Sequence, residues 1–481
     1  MCSHIKRTRI VFTNNIIKFP LFSVSNGIFL NLAKVVEGFH FFMTLVLYVK
    51  PSMTYFYYMK QSLLLLFIAC YSAVLAQTPA WENHLHQDIT VLTADSLEGR
   101  LVGSPGEVKA AHYIADRMKA IGLEAKGSVG YYQYFNFTPH AAPHKMENDG
   151  KSTLGTGYVK EQTGRNVVGF WNRGFERTVV IGAHYDHLGW GDENSLWSGA
   201  KGIHRGADDN ASGVSALLFL AEALQKTAPE NLGATNFLFI AFSGEEKGLY
   251  GSNYFSKNPT VPLNQIVCML NMDMVGRLKA DRTLAINGTG TSPFWKKAIK
   301  KSNNAMGEKK FQLVLSESGT GPSDHTSFYN VGVPVLHFFT GQHDQYHKPT
   351  DVIELIDFNG LQDISNFILN ITQMASQKGT LEFKKTKEEK SQQAANFKVT
   401  LGVMPDYLYS GEGLKIDGTK EGRPGAKAGI MQGDIIIALG KYPIADIYAY
   451  MDALSKFNPG DKTEAEILRN GKKMKLPVVF E

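Results

Sequence analysis

The sequence predicts an α/β fold in which a mixed, largely parallel central sheet carries helices on both faces, followed by a small β-rich domain. Three observations predict it. Short runs of β-branched and aromatic residues alternate with amphipathic segments through the middle of the 481-residue chain. Those runs are apolar at nearly every position rather than at every second one, as strands buried on both faces are. A charged, apolar-poor stretch over 384–393 then separates them from a segment of strand and turn signals. With 43% hydrophobic and 20% charged residues, the composition is globular rather than disordered or fibrous.

In chain order, Ser104-Pro105-Gly106-Glu107 reads as a capping box with proline at the first helical position, Ala111, Ile114, Met118 and Ile121 form the apolar face, and Gly122 ends the helix. Runs at 166–170, 178–183, 236–242, 266–272, 311–315 and 333–339 read as buried strands, and 214–224 as an intervening helix. Leu361, Ile364, Phe367, Ile368 and Ile371 mark the helix that closes the large domain. The expected division is 77–378 for that domain, 379–395 for a charged linker and 396–481 for the small domain, with one helix near 447–454.

The beginning of the chain has a different character. Met59-Lys60, an apolar run over 63–69 and Val74-Leu75-Ala76 before Gln77 have the layout of a secretory signal peptide over 59–76. Residues 1–58 lie upstream of that complete signal and are expected to be a gene-model extension, with translation starting at Met59. Neither apolar patch, 41–48 or 63–69, reaches the roughly 20 residues of a spanning helix, so no stable membrane span is expected after signal removal. Phe67-Ile68-Ala69 before Cys70 fits a lipoprotein signal poorly. The expected location is outside the cytoplasm, in a periplasm or the medium. Seven basic residues against Glu37 before residue 77 account for the formal net charge of +5, which leaves no electrostatic case for nucleic-acid binding. Cys2 and Cys70 fall in the leader and Cys268 lies in an apolar run, so the chain offers no disulfide framework or cysteine metal site, and Cys268 reads as a buried thiol.

Three of the buried-strand patterns end in a potential metal ligand: His184 after 179–183, Glu245 and Glu246 after 237–244, and Asp273 after 267–272. In open α/β sheets, ligand-binding groups gather at the carboxyl ends of strands. Asp209, in the glycine-flanked run from Gly206 to Gly213, and His347, in Tyr346-His347-Lys348-Pro349-Thr350-Asp351, belong with them. Imidazole nitrogen and carboxylate oxygen suit zinc. Two histidines and three carboxylates suit a pair of ions better than one, provided one carboxylate bridges. Such a pair, about 3.5–4 Å apart, can hold a hydroxide between its ions. A carboxylate free of metal is then needed to take the water's proton, and the Glu245-Glu246 doublet offers both a base and a ligand.

Gly182-Ala183-His184-Tyr185-Asp186, the Gly206 to Gly213 loop, Ser243-Gly244-Glu245-Glu246, Asn271-Met272-Asp273, Ser323-Asp324-His325 and Tyr346-His347 together resemble the bacterial co-catalytic di-zinc aminopeptidases, relatives of glutamate carboxypeptidase and glutaminyl cyclase. The resemblance covers about 90–375. It implies two Zn2+ per peptidase domain: His184 and Asp273 on one, Glu246 and His347 on the other, Asp209 between them. It further implies Glu245 as general base, Asp186 as the carboxylate that orients His184, and Tyr346 as a hydrogen-bond donor to the developing oxyanion. The implied activity is removal of residues from peptides with a free N-terminus. A carboxypeptidase of the same fold would need a cation for the substrate carboxylate, for which Arg277 is available, though it reads equally as a structural ion-pair partner; a cyclase characteristically manages with one zinc; a non-catalytic peptide-binding relative would have lost ligands. His187, His204, Trp190 and Trp197 lie in a long insertion between His184 and Asp209 that could lid the cleft, although loop residues of this kind more often face solvent. Ser323-Asp324-His325 does not read as a serine triad, since consecutive residues rarely form one and no nucleophile elbow is present.

In the small domain, Leu401-Gly402-Val403, Gly422 to Pro424 and Ala428 to Ile436 resemble a PDZ domain of the kind appended to bacterial proteases. The resemblance implies that a peptide C-terminus adds as a strand to an open sheet edge, its carboxylate received by backbone amides at Leu401-Gly402-Val403.

Overall fold

A run that is apolar on both faces has to be covered on both faces, and the middle of the chain meets that requirement with one sheet between two layers of helix. The computed structural model describes residues 80–138, 161–191, 194–386, 399–406, 409, 411–419, 422–445 and 447–480. All of these belong to the unit Pro79–Glu481. The upstream segment, the expected signal peptide with Cys70, and part of the expected linker (387–395) lie outside the described residues.

The strands are β1 (Glu124–Ala125), β2 (Tyr132–Phe137), β3 (Gln162–Trp171), β4 (Arg177–His184), β5 (Thr235–Phe242), β6 (Ile266–Met272), β7 (Thr283–Asn287), β8 (Gln312–Leu315) and β9 (Val335–Phe339). They form one sheet in the order β1-β3-β5-β4-β6-β9-β7-β8, with β2 also on β3. The centre, β5-β4-β6-β9, is parallel. Antiparallel pairings flank it, β3 on β5 and β7 on β9.

Alternation decides which face each side chain serves. Val179, Ile181, Phe237, Phe239 and Ala241 join the larger core, which is filled by α1 (Ala80–Leu92), α2 (Pro105–Ile121), α3 (Gly213–Gln225), α5 (Phe294–Ala305) and α7 (Phe358–Lys378). Val180, Leu238, Ile240 and Phe242 point the other way, onto Phe255 of α4 (Tyr250–Lys257) and Phe328 of α6 (His325–Tyr329). Each of these side chains, fully buried, contributes about 1.5–3 kcal/mol. Cys268 of β6 is a buried free thiol, and burial pushes its pKa up.

Two local expectations are corrected. The run at 311–315 is not a buried strand: Phe311 is buried, but β8 ends the sheet order with Leu315 exposed. At the start of α2, the Ser104 hydroxyl does accept a bond from the Glu107 amide at 3.2 Å, and Gly122 ends the helix in the left-handed region. The Glu107 carboxylate, however, does not turn back to complete a box. It is buried, accepting bonds from the Tyr185 and Ser243 hydroxyls at 2.9 and 3.0 Å and pairing with Arg165 at 3.1 Å.

A second, wholly antiparallel sheet follows, from β10 (Val403–Pro405), β11 (Leu414–Thr419), β12 (Ile435–Leu439), β13 (Tyr442–Pro443), β14 (Lys462–Arg469) and β15 (Lys472–Val479), in the order β10-β11-β12-β14-β15 with β13 on β12. It has a core of its own, including Leu401, Leu414, Ile416, Ile436, Ile467 and Phe480. Among the described residues no helix is long and apolar enough to cross a membrane.

Candidate metal centre

The parallel strands β4, β5 and β6 all deliver their carboxyl ends to the same edge of the sheet, and the ionisable residues that follow them meet there. His184 is the last residue of β4; Glu245 and Glu246 come three and four residues after β5; Asp273 follows β6 directly. Asp209 arrives on the turn Ala207–Ser212, where Asp209 and Asn210 depart from helical geometry. Gly206 opens that turn at φ 55°, and a Cβ there would lie 2.1 Å from the Asp209 carbonyl oxygen, so only glycine fits.

One carboxylate lies between two imidazoles. Asp209 Oδ1 is 3.3 Å from His184 Nε2, and Asp209 Oδ2 is 3.2 Å from His347 Nε2. Each imidazole has a second carboxylate: Asp273 Oδ1 at 3.3 Å from His184 Nε2, and Glu246 Oε2 at 3.0 Å from His347 Nε2. The far ring nitrogens are held by main chain. His184 Nδ1 donates to the Asp186 carbonyl at 3.2 Å and His347 Nδ1 to the Asn194 carbonyl at 2.9 Å, leaving both Nε2 atoms to the carboxylates. The Asp186 carboxylate lies 3.7 Å from His184 Nδ1 and instead accepts the Glu245 amide at 3.1 Å. Ser323 donates to Asp273 Oδ2 at 2.7 Å, and Asn271 in turn donates to Ser323 at 2.8 Å. The Tyr346 ring stacks on His347 at 3.8 Å.

Asp208 does different work from its neighbour. Its carboxylate accepts from the Gly276 amide at 2.7 Å and the Ser212 hydroxyl at 3.0 Å and lies 3.2 Å from His343 Nε2.

The charges fit cations. Asp186, Asp209, Glu245, Glu246 and Asp273 converge here, five carboxylates against four basic groups, His184, His187, His347 and the buried Arg100, even when all four are charged, and buried carboxylates need compensation. Burial opposes charge on both imidazoles, yet the surrounding carboxylates, Asp273 foremost for His184 and Glu246 for His347, hold them well above their usual range. Burial would raise Glu246, but His347 brings it down to about 2. Glu245 goes the other way: burial, reinforced by Asp273 and Glu246, holds it well above the usual carboxylate range. The donor set is imidazole nitrogen and carboxylate oxygen, and the nitrogen-to-oxygen spacings of 3.0–3.3 Å are near the ~3.3 Å edge of a tetrahedron built on zinc bonds of about 2.0–2.1 Å. Two sets of ligand atoms lie close enough to share an ion, His184 with Asp209 and Asp273, and His187 with Asp209 and Glu246.

His187 is thus a residue that reading the sequence missed. Far from facing solvent, it is fully buried, with Nδ1 2.7 Å from Glu246 Oε1. The insertion that carries it folds onto the centre: the Asn194 side chain donates through Nδ2 to the Glu246 carbonyl at 2.6 Å, and the Leu196 main-chain amide to the His347 carbonyl at 3.0 Å. His204 is also buried, on Ser195 at 2.8 Å, whereas Trp190 and Trp197 are exposed as expected.

Two further residues without a sequence signature hold the centre together. Arg100, buried to 0% exposure, donates to the carbonyls of Tyr185 at 2.7 Å, Arg205 at 2.7 Å, Gly206 at 3.0 Å and Leu92. Asp351 accepts the amides of Asp208 and Asp209, each at 3.0 Å through Oδ2. The enclosed space is a cavity of about 80 Å3 walled by the candidate ligands, Glu245 and Tyr346, with Met274, Asn287, His337 and Phe339 beyond.

Residues 166–372 match the model of peptidase family M28. The chain is 28% identical over 283 residues to the aminopeptidase YwaD of Bacillus subtilis, covering 52% of this chain and 58% of that protein. It is 29% identical over 206 residues to a probable leucine aminopeptidase of Arthroderma benhamiae, covering 40% of this chain and 51% of that one. The chain therefore spans only about half the length of these curated relatives. Among solved structures, the zinc aminopeptidase BSAP of Bacillus subtilis aligns with 64% of this chain and 98% of its own at 21% identity, with a TM-score of 0.49.

Proposed function

Because residues 166–372 match peptidase family M28, we propose that the chain is an exported metallo-aminopeptidase that removes amino-terminal residues from peptides. The observation that carries this reading is the single Asp209 carboxylate set between His184 and His347, each with its own further carboxylate, beside an acid of raised proton affinity. His184 and Asp273 would hold one zinc, Glu246 and His347 the other, and Asp209 both, with His187 supporting Glu246. The pair would supply a Lewis acid for the scissile carbonyl and lower the pKa of the attacking water.

The chain's own groups do the rest. Glu245 takes the proton from the attacking water and passes it to the leaving amine; its raised proton affinity suits a group that has to hold and then release a proton. The Asp186 carboxylate fixes the Glu245 main chain, which keeps the base at one distance from the reacting carbon. Tyr346, packed on His347 in the cavity wall, donates to the developing oxyanion. Residues 396–481 act as a PDZ-like module that receives a peptide C-terminus at Leu401-Gly402-Val403. In support, β10 begins at Val403 and ends its sheet order, and no strand among the described residues pairs with its outer edge, the kind of edge to which a peptide strand adds. The leader layout over 59–76 carries the assignment of export.

A carboxypeptidase or a glutaminyl cyclase of the same fold is the rival. Incubating the mature protein with aminoacyl substrates, amino-blocked peptides and N-terminal glutaminyl peptides, with and without a chelator, separates them. The expected result is chelator-sensitive release of the first residue from free-amine substrates only. Activity that survives chelation, or is confined to blocked peptides, refutes the reading.

A further inference from the structure

Arg277, four residues beyond Asp273, lines a second cavity of about 420 Å3 together with Lys279, Gln342, His343 and Gln345. Gln342 also lines the cavity of the metal centre, so the two spaces adjoin at its side chain. That side chain is 7% exposed, and its Oε1 has no hydrogen-bond partner among the described residues.

The guanidinium of Arg277 is in an unusual position for a half-buried cation. One nitrogen, Nη2, donates to Gln345 Oε1 at 3.1 Å, while Nη1 is buried without a partner, and no described carboxylate forms an ion pair with it. Arginines elsewhere here have nitrogens occupied, either by acids, as Arg117 on Asp88 and Arg469 on Asp434, both at 2.7 Å, or by main-chain carbonyls, as Arg173 on Gly233 and Thr235. The two acids in the cavity wall do not substitute, since Asp357 caps the Gly360 amide and Asp344 is exposed. A buried guanidinium nitrogen left without an acceptor is costly, and guanidinium is the side chain whose planar fork matches a carboxylate.

We infer that this second cavity is a carboxylate subsite, which takes the C-terminal carboxylate of a short peptide on Arg277 while the amino-terminal residue occupies the metal-centre cavity. The inference rests on the aminopeptidase reading and narrows its substrate class to peptides of a few residues. Lys279 adds positive charge to the same cavity, and Gln342 Oε1 accepts an N–H of the peptide as it passes between the two spaces. A volume of about 420 Å3 falls in the range of small-molecule sites.

The test compares peptides of two to six residues sharing one N-terminal residue, each as the free acid and as the C-terminal amide. At short lengths the wild-type protein should prefer the free acid by roughly tenfold or more in kcat/KM, the value of a charge-assisted hydrogen bond, and the preference should fade as the peptide lengthens. In R277M the free-acid-to-amide ratio should fall towards one; R277K, which keeps a point charge without the fork, should retain part of it. The wild-type ratio needs no variant to fold. A ratio of one at every length overturns the inference, while cleavage of free-amine peptides leaves the aminopeptidase reading intact. Acid preference on N-acetylated peptides alone overturns that reading instead and supports the carboxylate subsite. Amides carrying aspartate at the second position that are cleaved as well as free acids overturn the terminal assignment in favour of a side-chain carboxylate.

Discussion

Replacing Arg100 with methionine should damage both the stability of the protein and its hold on metal, although the residue touches no candidate ligand side chain. Its guanidinium donates to the carbonyls of Leu92, Tyr185, Arg205 and Gly206 from a site with no exposure. Burial lowers its pKa to about 10, with the carboxylates of Asp209, Asp186, Asp351 and Glu246 limiting the fall, so it is charged at neutral pH. Methionine matches much of the volume but leaves the Leu92, Tyr185 and Arg205 carbonyls without donors and the Gly206 carbonyl with the Ala211 amide alone. Each such group costs about 1–3 kcal/mol, and breaking a buried charge interaction costs about 3–5 kcal/mol. Allowing for relaxation, about 4 kcal/mol is the expected loss, which lowers the melting temperature by about 10 °C. Two of the released carbonyls, Tyr185 and Gly206, adjoin His184 and open the turn that carries Asp209, so zinc affinity should fall as well. Thermal unfolding and zinc titration of R100M and R100K check this, with lysine recovering part of both losses through its three donors. An R100M protein within 1 kcal/mol of wild type, binding zinc with unchanged affinity, would refute the argument that this cation braces the centre.

Further outcomes are expected of other positions. E245Q should retain zinc, measured by elemental analysis, and lose about 10²–10⁴-fold in kcat, the usual worth of a positioned general base; undiminished turnover would remove Glu245 from that role. D351N weakens the acceptor that holds the Asp208 and Asp209 amides and should cost about 10–100-fold in zinc affinity, the range for residues that support ligands, with competition against a chromogenic chelator as the measurement. Glu107 supplies a pH dependence. Burial raises it from 4.5 to about 7, so the folded state binds its proton more tightly than the unfolded state does. Its stabilising contribution is therefore full below pH 4.5 and is lost as pH rises through 7. The stability of wild type relative to E107Q should fall by about 3 kcal/mol across that interval, and a flat difference in denaturant titrations would contradict it.

What could be read from the sequence, and what could not, divides along physical lines. Runs such as 178–183 and 236–242 are apolar on both faces because β4 and β5 lie at the parallel centre of the sheet, and that is also why His184, Glu245 and Glu246 stand out as the first ionisable groups past the ends of these runs. Strands at the margins carry no such signal: β2 alternates exposed and buried positions and β8 is largely open. The burial of His187 and His204 in the insertion after His184 carries no local signal for a different reason. Its histidines are buried by partners 59 residues away in the case of His187 on Glu246, and no local periodicity encodes that. Glu107 matches a capping pattern by spacing, yet tertiary partners on β3 and at the residues just after β4 and β5 claim its carboxylate instead.

The same long-range logic explains why the turn carrying Asp209 can be irregular and still hold a fixed carboxylate. A turn whose backbone leaves helical geometry at Asp209 and Asn210 cannot be held by its own ladder, so other elements have to hold it. Arg100 takes the Gly206 carbonyl, Asp351 takes the Asp208 and Asp209 amides, and Asn210 donates to the Met272 carbonyl while accepting the Gly213 and Met274 amides. These anchors come from the loop before α2, the segment after His347 and both sides of Asp273. The two loops bearing Asp273 and His347 therefore also fix the Asp209 carboxylate that lies between the two imidazoles. Preorganisation of this kind would lower the reorganisation needed if Asp209 held two cations, as proposed. It follows that metal affinity at this centre should be as sensitive to residues that never reach a metal as to those that would.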